Sequence, residues 1–332
     1  MTDKSMEKRF FNSFKTDDND DNIKITDIID KIKNEGFLYD DPRLKDIFHN
    51  FKEYPSNVID YIQFKSCIEK HICIFDKIMT KKLIIPDFPQ FTENIKNIYD
   101  LTEFDMGGHV ADYIPQLKRV NPDQYGISVC TIDGQRYNIG DTNVDFSVQS
   151  CCKPINYGIA LESLGEEHVH KYVGREPSGQ SFNELTLNKE GKPHNPLINS
   201  GAIMTSSLIK NDCPLAERFE YITDMWSRLS GGIYKIGFNN PVYLSEKHTA
   251  DRNYALAYFM KETNDKKKVG FPDNTNIEDT LSLYFQCCSI EVNTQILSIV
   301  AATLANGGIN PFSGERIWSH DTVKNVLSMM LM

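Results

Sequence analysis

The 332-residue sequence predicts an α/β (α+β) chain in which an antiparallel sheet and a helical cluster follow a small all-helical domain. Three observations carry that prediction. Isoleucines recur at helical spacing between residues 23 and 36, alternating segments with glycine turns occupy 125 to 149, and helix-length apolar patterns fill most of the remainder.

Taken in order, residues 1–22 are polar and read as a disordered tail. Residues 23–83 read as a helical bundle. Its first helix carries Ile23, Ile28, Ile29 and Ile32 and stops at Gly36, and further helices are expected over 42–51, 60–71 and 72–82. "IIPDFPQF" at 84–91 holds two prolines and reads as the linker into a second domain, 84–332. There "YGISVCTIDGQRYNIGDTNVDFSVQ" predicts a three-stranded meander with turns at Asp133-Gly134 and Gly140-Asp141. The next stretch, "SCCKPINYGIALESLG", reads as a helix with Ser150 at its N-cap, Pro154 in its first turn and Gly165 as its stop. More helices are expected over 199–209, 214–230, 251–262, 278–288 and 293–305.

Composition narrows the function. A formal net charge of −10 argues against a nucleic-acid partner, whose binding draws on clustered Lys and Arg. The longest apolar runs, such as "LSIVAATLA", are far shorter than the roughly 20 residues of a membrane helix. The eight cysteines include no C-x-x-C, which fits free thiols in a reducing compartment. No metal site is expected, because His168 and His170 in "HVH" stand two apart on a helix and point to different faces. Asp3, Glu7 and the following acidic run make the N-terminus a poor mitochondrial presequence, and it has no secretory apolar core.

Chemistry centres on Ser150 and Lys153. Ser-x-x-Lys occurs three times, at Ser5, Ser150 and Ser207, but only Ser150 falls where strands lead into a helix. Unpaired backbone N–H groups and the positive end of a helix dipole meet there, which suits an oxyanion. Lys153 lies one turn on, on the same face. Burial beside a helix N-terminus disfavours its ammonium, and a neutral Lys153 can take the proton of Ser150. From this stretch alone two readings stand: a nucleophile with its base, or a capping serine followed by a solvated charge.

The surrounding blocks decide for the first. "ADYIPQL" (111–117), "GISVCTIDGQR" (126–136), "QSCCKP" (149–154), "HKYVGREPSG" (170–179), "KPHNPLINSGAI" (192–203), "DRN" (251–253), "YFQCCSIEV" (284–292) and "AATLANGG" (301–308) resemble, in order, the glutaminases of the serine-dependent β-lactamase-like superfamily, close to the animal kidney and liver enzymes. "DPRLK" (41–45) and "IPDF" (85–88) resemble that family's N-terminal helical region.

The resemblance implies a serine β-lactamase-like domain that hydrolyses L-glutamine to L-glutamate and ammonia through an acyl-enzyme, without a cofactor. It implies Ser150 as nucleophile and Lys153 as base, and glutamine contacts from Tyr113, Asn199, Glu246, Asn253 and Tyr284. A carboxylate such as Glu246 suits the substrate's α-ammonium, and amide and phenol donors suit its α-carboxylate. It also implies a homodimer or homotetramer and a mitochondrial address, with the cytosol as the alternative. Family members continue past "SMMLM" with a catalytic tyrosine and a Lys-Ser-Gly strand. The domain is therefore expected to be incomplete at its C-terminus and the 332 residues to be inactive or nearly so. The rival expectations are a non-catalytic truncated partner of a full-length glutaminase and, more weakly, a penicillin-recognising acyltransferase, whose third motif is missing.

Overall fold

The computed structural model describes residues 5–17, 20–265 and 269–332. Its N-terminal unit contains α1 (Met6–Ser13), β1 (Asn22–Lys24), α2 (Ile25–Asn34), α3 (Lys45–Phe51), β2 (Val58–Asp60), α4 (Tyr61–Ile68) and α5 (Ile72–Thr80). Strand β1 pairs antiparallel with β2, placing Ile23 opposite Ile59, and both side chains are buried. This unit is therefore two helix–strand–helix repeats joined by a ribbon, not a purely helical bundle.

Residues 6–13, expected as part of a disordered tail, are helical. Ser5 caps α1 by accepting from the Lys8 amide at 3.3 Å, while Phe10 and Phe11 are buried among Phe64, Phe75 and Tyr61. Composition averaged over a polar segment hides what two aromatic residues do. Each fully buried Phe contributes about 1.5–3 kcal/mol, which helps to offset the entropy of ordering a short helix. Residues 1–4, 18 and 19 of the expected tail lie outside the described residues.

The stretch 84–91, expected as a linker, is pinned. The Ile84 amide donates to Asp133 Oδ2 at 2.7 Å and the Ile85 amide to Gln135 Oε1 at 3.1 Å. These partners lie 49 and 50 residues away, beyond the reach of a local pattern. Asp87 caps α6 (Phe88–Thr102), and Phe88 is buried so closely under Gly36 that an added Cβ there would lie 2.5 Å from the ring.

After the short α7 (Pro115–Lys118), β3 (Gly126–Cys130) and β4 (Arg136–Gly140) form the expected hairpin, with Val129 opposite Tyr137. The third strand does not join them. β5 (Phe146–Ser147) instead flanks β7 (Ile290–Val292), whose other edge pairs with β6 (Gly237–Phe238), giving the order β5-β7-β6. Gly140, at φ 78°, turns the chain away from the hairpin, and the Val148 amide then donates to the Ile290 carbonyl at 2.8 Å.

The helices that follow are α8 (Cys152–Leu164), α9 (Glu166–Tyr172), α10 (Asn199–Leu208), α11 (Leu215–Leu229), α12 (Asn240–His248), α13 (Asp251–Asp265), α14 (Ile277–Cys288), α15 (Thr294–Ala305) and α16 (His320–Leu331). Helix α8 runs through the main core and packs on α10, α11 and α16. That enclosure explains its apolar sequence: a helix buried on all faces needs no polar stripe. Helix α10 is buried along its whole length for the same reason.

Polar contacts join the N-terminal unit to the rest. Arg43 donates to the carbonyls of Asp133 at 2.8 Å and Pro311 at 3.1 Å, and Lys77 pairs with Asp133 at 3.0 Å. Buried Arg136 donates to Asp40, which also accepts from Tyr234 at 2.8 Å. Burial pushes the Asp40 carboxyl up, but the hydrogen bonds and charge of Arg136 outweigh it and hold it below the usual range. Among the described residues no helix is long and apolar enough to cross a membrane.

Candidate active site

The site begins where β5 ends. Val148 is buried, Gln149 takes a left-handed φ of 48°, and Ser150 stands in a short 3-10 turn, Gln149–Cys151, that opens onto α8. A side chain with a Cβ rarely adopts that φ, and such strain concentrates at functional turns. Ser150 is not the N-cap. That position belongs to Cys151, which makes no side-chain cap bond, because the 3-10 turn separates strand from helix by one residue more than the pattern suggests. Among the described residues the Ser150 hydroxyl makes no hydrogen bond, so it is not engaged in capping. The Cys151 amide already donates to the Val148 carbonyl at 3.1 Å, which removes one of the backbone donors expected to be free here.

Lys153, in the first turn of α8, is only 4% exposed. Its Nζ donates to Asn199 Oδ1 at 2.7 Å and lies 5.8 Å from the centre of the Phe182 ring. Burial disfavours the ammonium and lowers the pKa from its ordinary value. Asn199 is presented by the first turn of α10. Its amide donates to the Phe182 carbonyl at 2.8 Å, and its side-chain nitrogen donates to Asn253 Oδ1, on α13, at 3.1 Å. A chain of contacts thus runs from Lys153 through Asn199 to Asn253.

Glu246, on α12, is buried and accepts from the Tyr113 hydroxyl at 2.7 Å, with Gln149 Oε1 3.2 Å from the same hydroxyl. Burial raises the Glu246 pKa and the hydrogen bonds of Tyr113 and Gln149 only partly oppose it. Burial, then the neighbouring Glu246, likewise raises the Tyr113 phenol. Tyr284, on α14, is buried and its phenol is driven well above its ordinary value by that burial.

Six of the seven residues picked from sequence line one cavity of about 450 Å³: Tyr113, Ser150, Asn199, Glu246, Asn253 and Tyr284. Lys153 lies beside it, joined through Asn199. Gln149, Phe182, Arg252 and Cys288 also line the wall and were not singled out. Among the lining residues Glu246 is the one carboxylate and Arg252 the one guanidinium. The "QS" and "DRN" blocks flagged the neighbourhoods of Gln149 and Arg252, whereas nothing local announces the left-handed turn or the approach of Phe182. His170, considered as a metal ligand, is bonded to the Tyr157 hydroxyl and the Val173 carbonyl, each at 2.9 Å. Among the described residues no cluster of three or more potential ligands could hold a metal.

A serine on a strained turn, a buried lysine and a small polar cavity recur across several hydrolase families, so comparison with known proteins decides. The glutaminase family profile matches residues 108–332. The chain belongs to the glutaminase family. Residues 6–86 are also matched by an EF-hand domain profile, in keeping with the paired helix–strand–helix repeats. The mitochondrial glutaminase liver isoform of Mus musculus is 43% identical over 304 residues, covering 90% of this chain and 50% of that protein. Putative glutaminase 3 of Caenorhabditis elegans is 45% identical over 307 residues, covering 89% of this chain and 51% of its own. The chain thus spans about half the length of the curated relatives it matches. Among solved structures, the probable glutaminase ybaS superposes with a TM-score of 0.66 at 30% identity, covering 72% of this chain and 75% of that one. Mglu in its tris and glutamate form gives 0.64 at 32%, covering 70% and 50%. The mixed helical and antiparallel architecture is therefore the β-lactamase-like glutaminase fold with an EF-hand-like helical region before it.

Proposed function

We propose that this cavity hydrolyses the side-chain amide of L-glutamine, releasing ammonia and L-glutamate, through an ester on Ser150. The observation that carries the reading is that the unbonded Ser150 hydroxyl and the single carboxylate Glu246 line one small cavity, with the buried Lys153 beside it and bonded to the lining residue Asn199. The substrate's α-ammonium pairs with Glu246, held in place by Tyr113, while Asn199 and Asn253 face the α-carboxylate. A neutral Lys153 that donates one hydrogen to Asn199 keeps its lone pair. It takes the Ser150 proton as Oγ bonds to the amide carbon, the C–N bond breaks with that proton passing to the departing nitrogen, and water then cleaves the ester. Glutamate leaves and Ser150 regains its hydrogen. No step requires a cofactor.

The test is ammonia release from L-glutamine by the gene product that carries these residues. Ser150→Ala is expected to lower kcat by about 10³ or more while urea unfolding stays unchanged. Retention of activity within tenfold would remove Ser150 from the nucleophile's role. Wild-type protein that binds glutamine yet never releases ammonia would favour the non-catalytic alternative. A mitochondrial address and assembly as a homodimer or homotetramer belong to the same proposal. The first is supported by mammalian relatives named as mitochondrial and is checked by cell fractionation. The second rests on the family resemblance and is checked by light scattering.

A further inference from the structure

Two of the eight cysteines are in contact beneath the cavity. Cys152 Sγ, on the first residue of α8, lies 4.0 Å from Cys288 Sγ, on the last residue of α14. Among the described residues no other two sulfurs meet. Cys152 is fully buried, whereas Cys288 is 5% exposed and forms part of the cavity wall. A small oxidant that enters the cavity therefore meets one thiol, with the second directly behind it. The other candidates are differently placed. Cys151 is exposed at the surface, and Cys287 is buried toward Asn156 with its thiol pushed up to about 12.

We propose that Cys288 and Cys152 are a disulfide-forming site on the floor of the cavity, closed by hydrogen peroxide and reopened by a dithiol. In the first step the Cys288 sulfur attacks peroxide. It takes one oxygen to become a sulfenic acid, the O–O bond breaks, and water leaves. In the second, the Cys152 sulfur attacks the sulfenic sulfur, the S–O bond breaks, and the oxygen departs as a second water with the Cys152 proton. Two thiols have then lost two electrons to one peroxide. The contact with Cys288, then burial, raises the Cys152 thiol and so disfavours its thiolate, which makes the cavity-lining Cys288 the sulfur that peroxide reaches first.

Closing the bond draws the sulfurs from 4.0 Å to about 2.05 Å. That shift of nearly 2 Å must be shared by the first turn of α8 and the last turn of α14. The first carries Lys153 and begins two residues after Ser150, and the second follows Tyr284 by one turn. Displacement of about 1 Å in a reacting group costs on the order of 10²-fold in rate. The oxidised form is accordingly expected to be switched off. This consequence rests on the amidohydrolase reading above, but the bond itself does not.

The experiment treats the purified gene product with hydrogen peroxide, quenches it by alkylation and maps disulfide-linked peptides by tandem mass spectrometry, with ammonia release measured in parallel. The expected result is a Cys152–Cys288 link, at least a tenfold loss of ammonia release, and recovery with dithiothreitol. Cys152→Val, which keeps the site apolar and nearly fills the same volume, should retain activity within twofold after the same treatment. Cys152→Ala serves the same purpose if valine proves too large. A linked pair without loss of activity would keep the site and overturn the switch. Irreversible oxidation of Cys288 with no link, or equal inactivation of wild type and both Cys152 variants, would overturn the proposal. Protein that never turns over glutamine bears on the proposed function alone, because the peptide map is read without activity.

Discussion

Lys153 and Glu246 are both pressed toward their neutral forms by burial, with opposite consequences for charge. For Lys153 the folded pKa lies below the unfolded value of 10.5, so the unfolded chain holds the proton more tightly. The residue therefore weakens the fold as pH drops below 10.5, and the same depression makes its amine available as a base. Ammonia release per substrate encounter is expected to climb with pH along an acid limb that ends below 10.5, read from the pH profile of kcat/KM. A limb that survives in Lys153→Met would assign the base elsewhere. For Glu246 the folded value lies above 4.5, so its stabilising contribution is fully present below 4.5 and is lost as pH rises through the folded value. Glu246→Gln at pH 7 should thus leave the melting temperature unchanged or higher. It should also raise KM for glutamine by about 10- to 100-fold, the worth of a charge-assisted hydrogen bond of about 1.5–3 kcal/mol. Parallel losses in KM and melting temperature would make Glu246 structural.

Helix α10 shows how a whole element can serve a single side chain. Its first turn presents Asn199, and the backbone before it passes so close that a Cβ added at Gly201 would lie 1.8 Å from the Asn195 carbonyl oxygen. Asn195 in turn accepts from the amides of Leu197 and Ile198, so the turn cannot yield without loosening Asn199. Gly201→Ala is expected to cost about 1–3 kcal/mol in urea unfolding and to raise KM in the same protein, as an overpacked core position does. Unchanged KM beside the stability loss would mean that the turn does not position Asn199. This helix was legible in the sequence, as were α11, α13, α14, α15 and the hairpin around Asp133-Gly134, because each is long, periodic or marked by a strong turn pair. Three features were not. β5 has two residues and its partner lies at 291–292, so no local period reports it. The turn at Gln149 depends on a backbone angle that glutamine does not advertise. The ordering of α1 depends on Phe10 and Phe11 meeting Phe64 and Phe75, contacts set by tertiary packing. Six of the residues named from the resemblance come together at one cavity, because resemblance carries residue types at fixed positions, whereas Phe182 and Cys288 enter that cavity by packing no local pattern reports.

At the scale of the whole molecule the two halves meet at a clasp. Asp133, at the tip of the β3–β4 hairpin, accepts from the Ile84 amide and from Lys77, and its carbonyl accepts from Arg43. Asp40, Arg136 and Tyr234 form a second knot beside it. The chain between the halves is far less secured. Leu101 is 82% exposed, Phe104 79% and Met106 61%, and the backbone from 105 to 112 is in neither helix nor strand. A protease offered the folded protein should therefore cut near Phe104 and release nothing. Gel filtration of the nicked product is expected to show one particle of undiminished size, and only urea should part it into two pieces. The earlier piece would end a few residues short of Tyr113, leaving that phenol on a freed chain end beside Glu246. Covalent continuity and structural unity are then separate properties here: the peptide linkage spans a gap that the clasp already bridges.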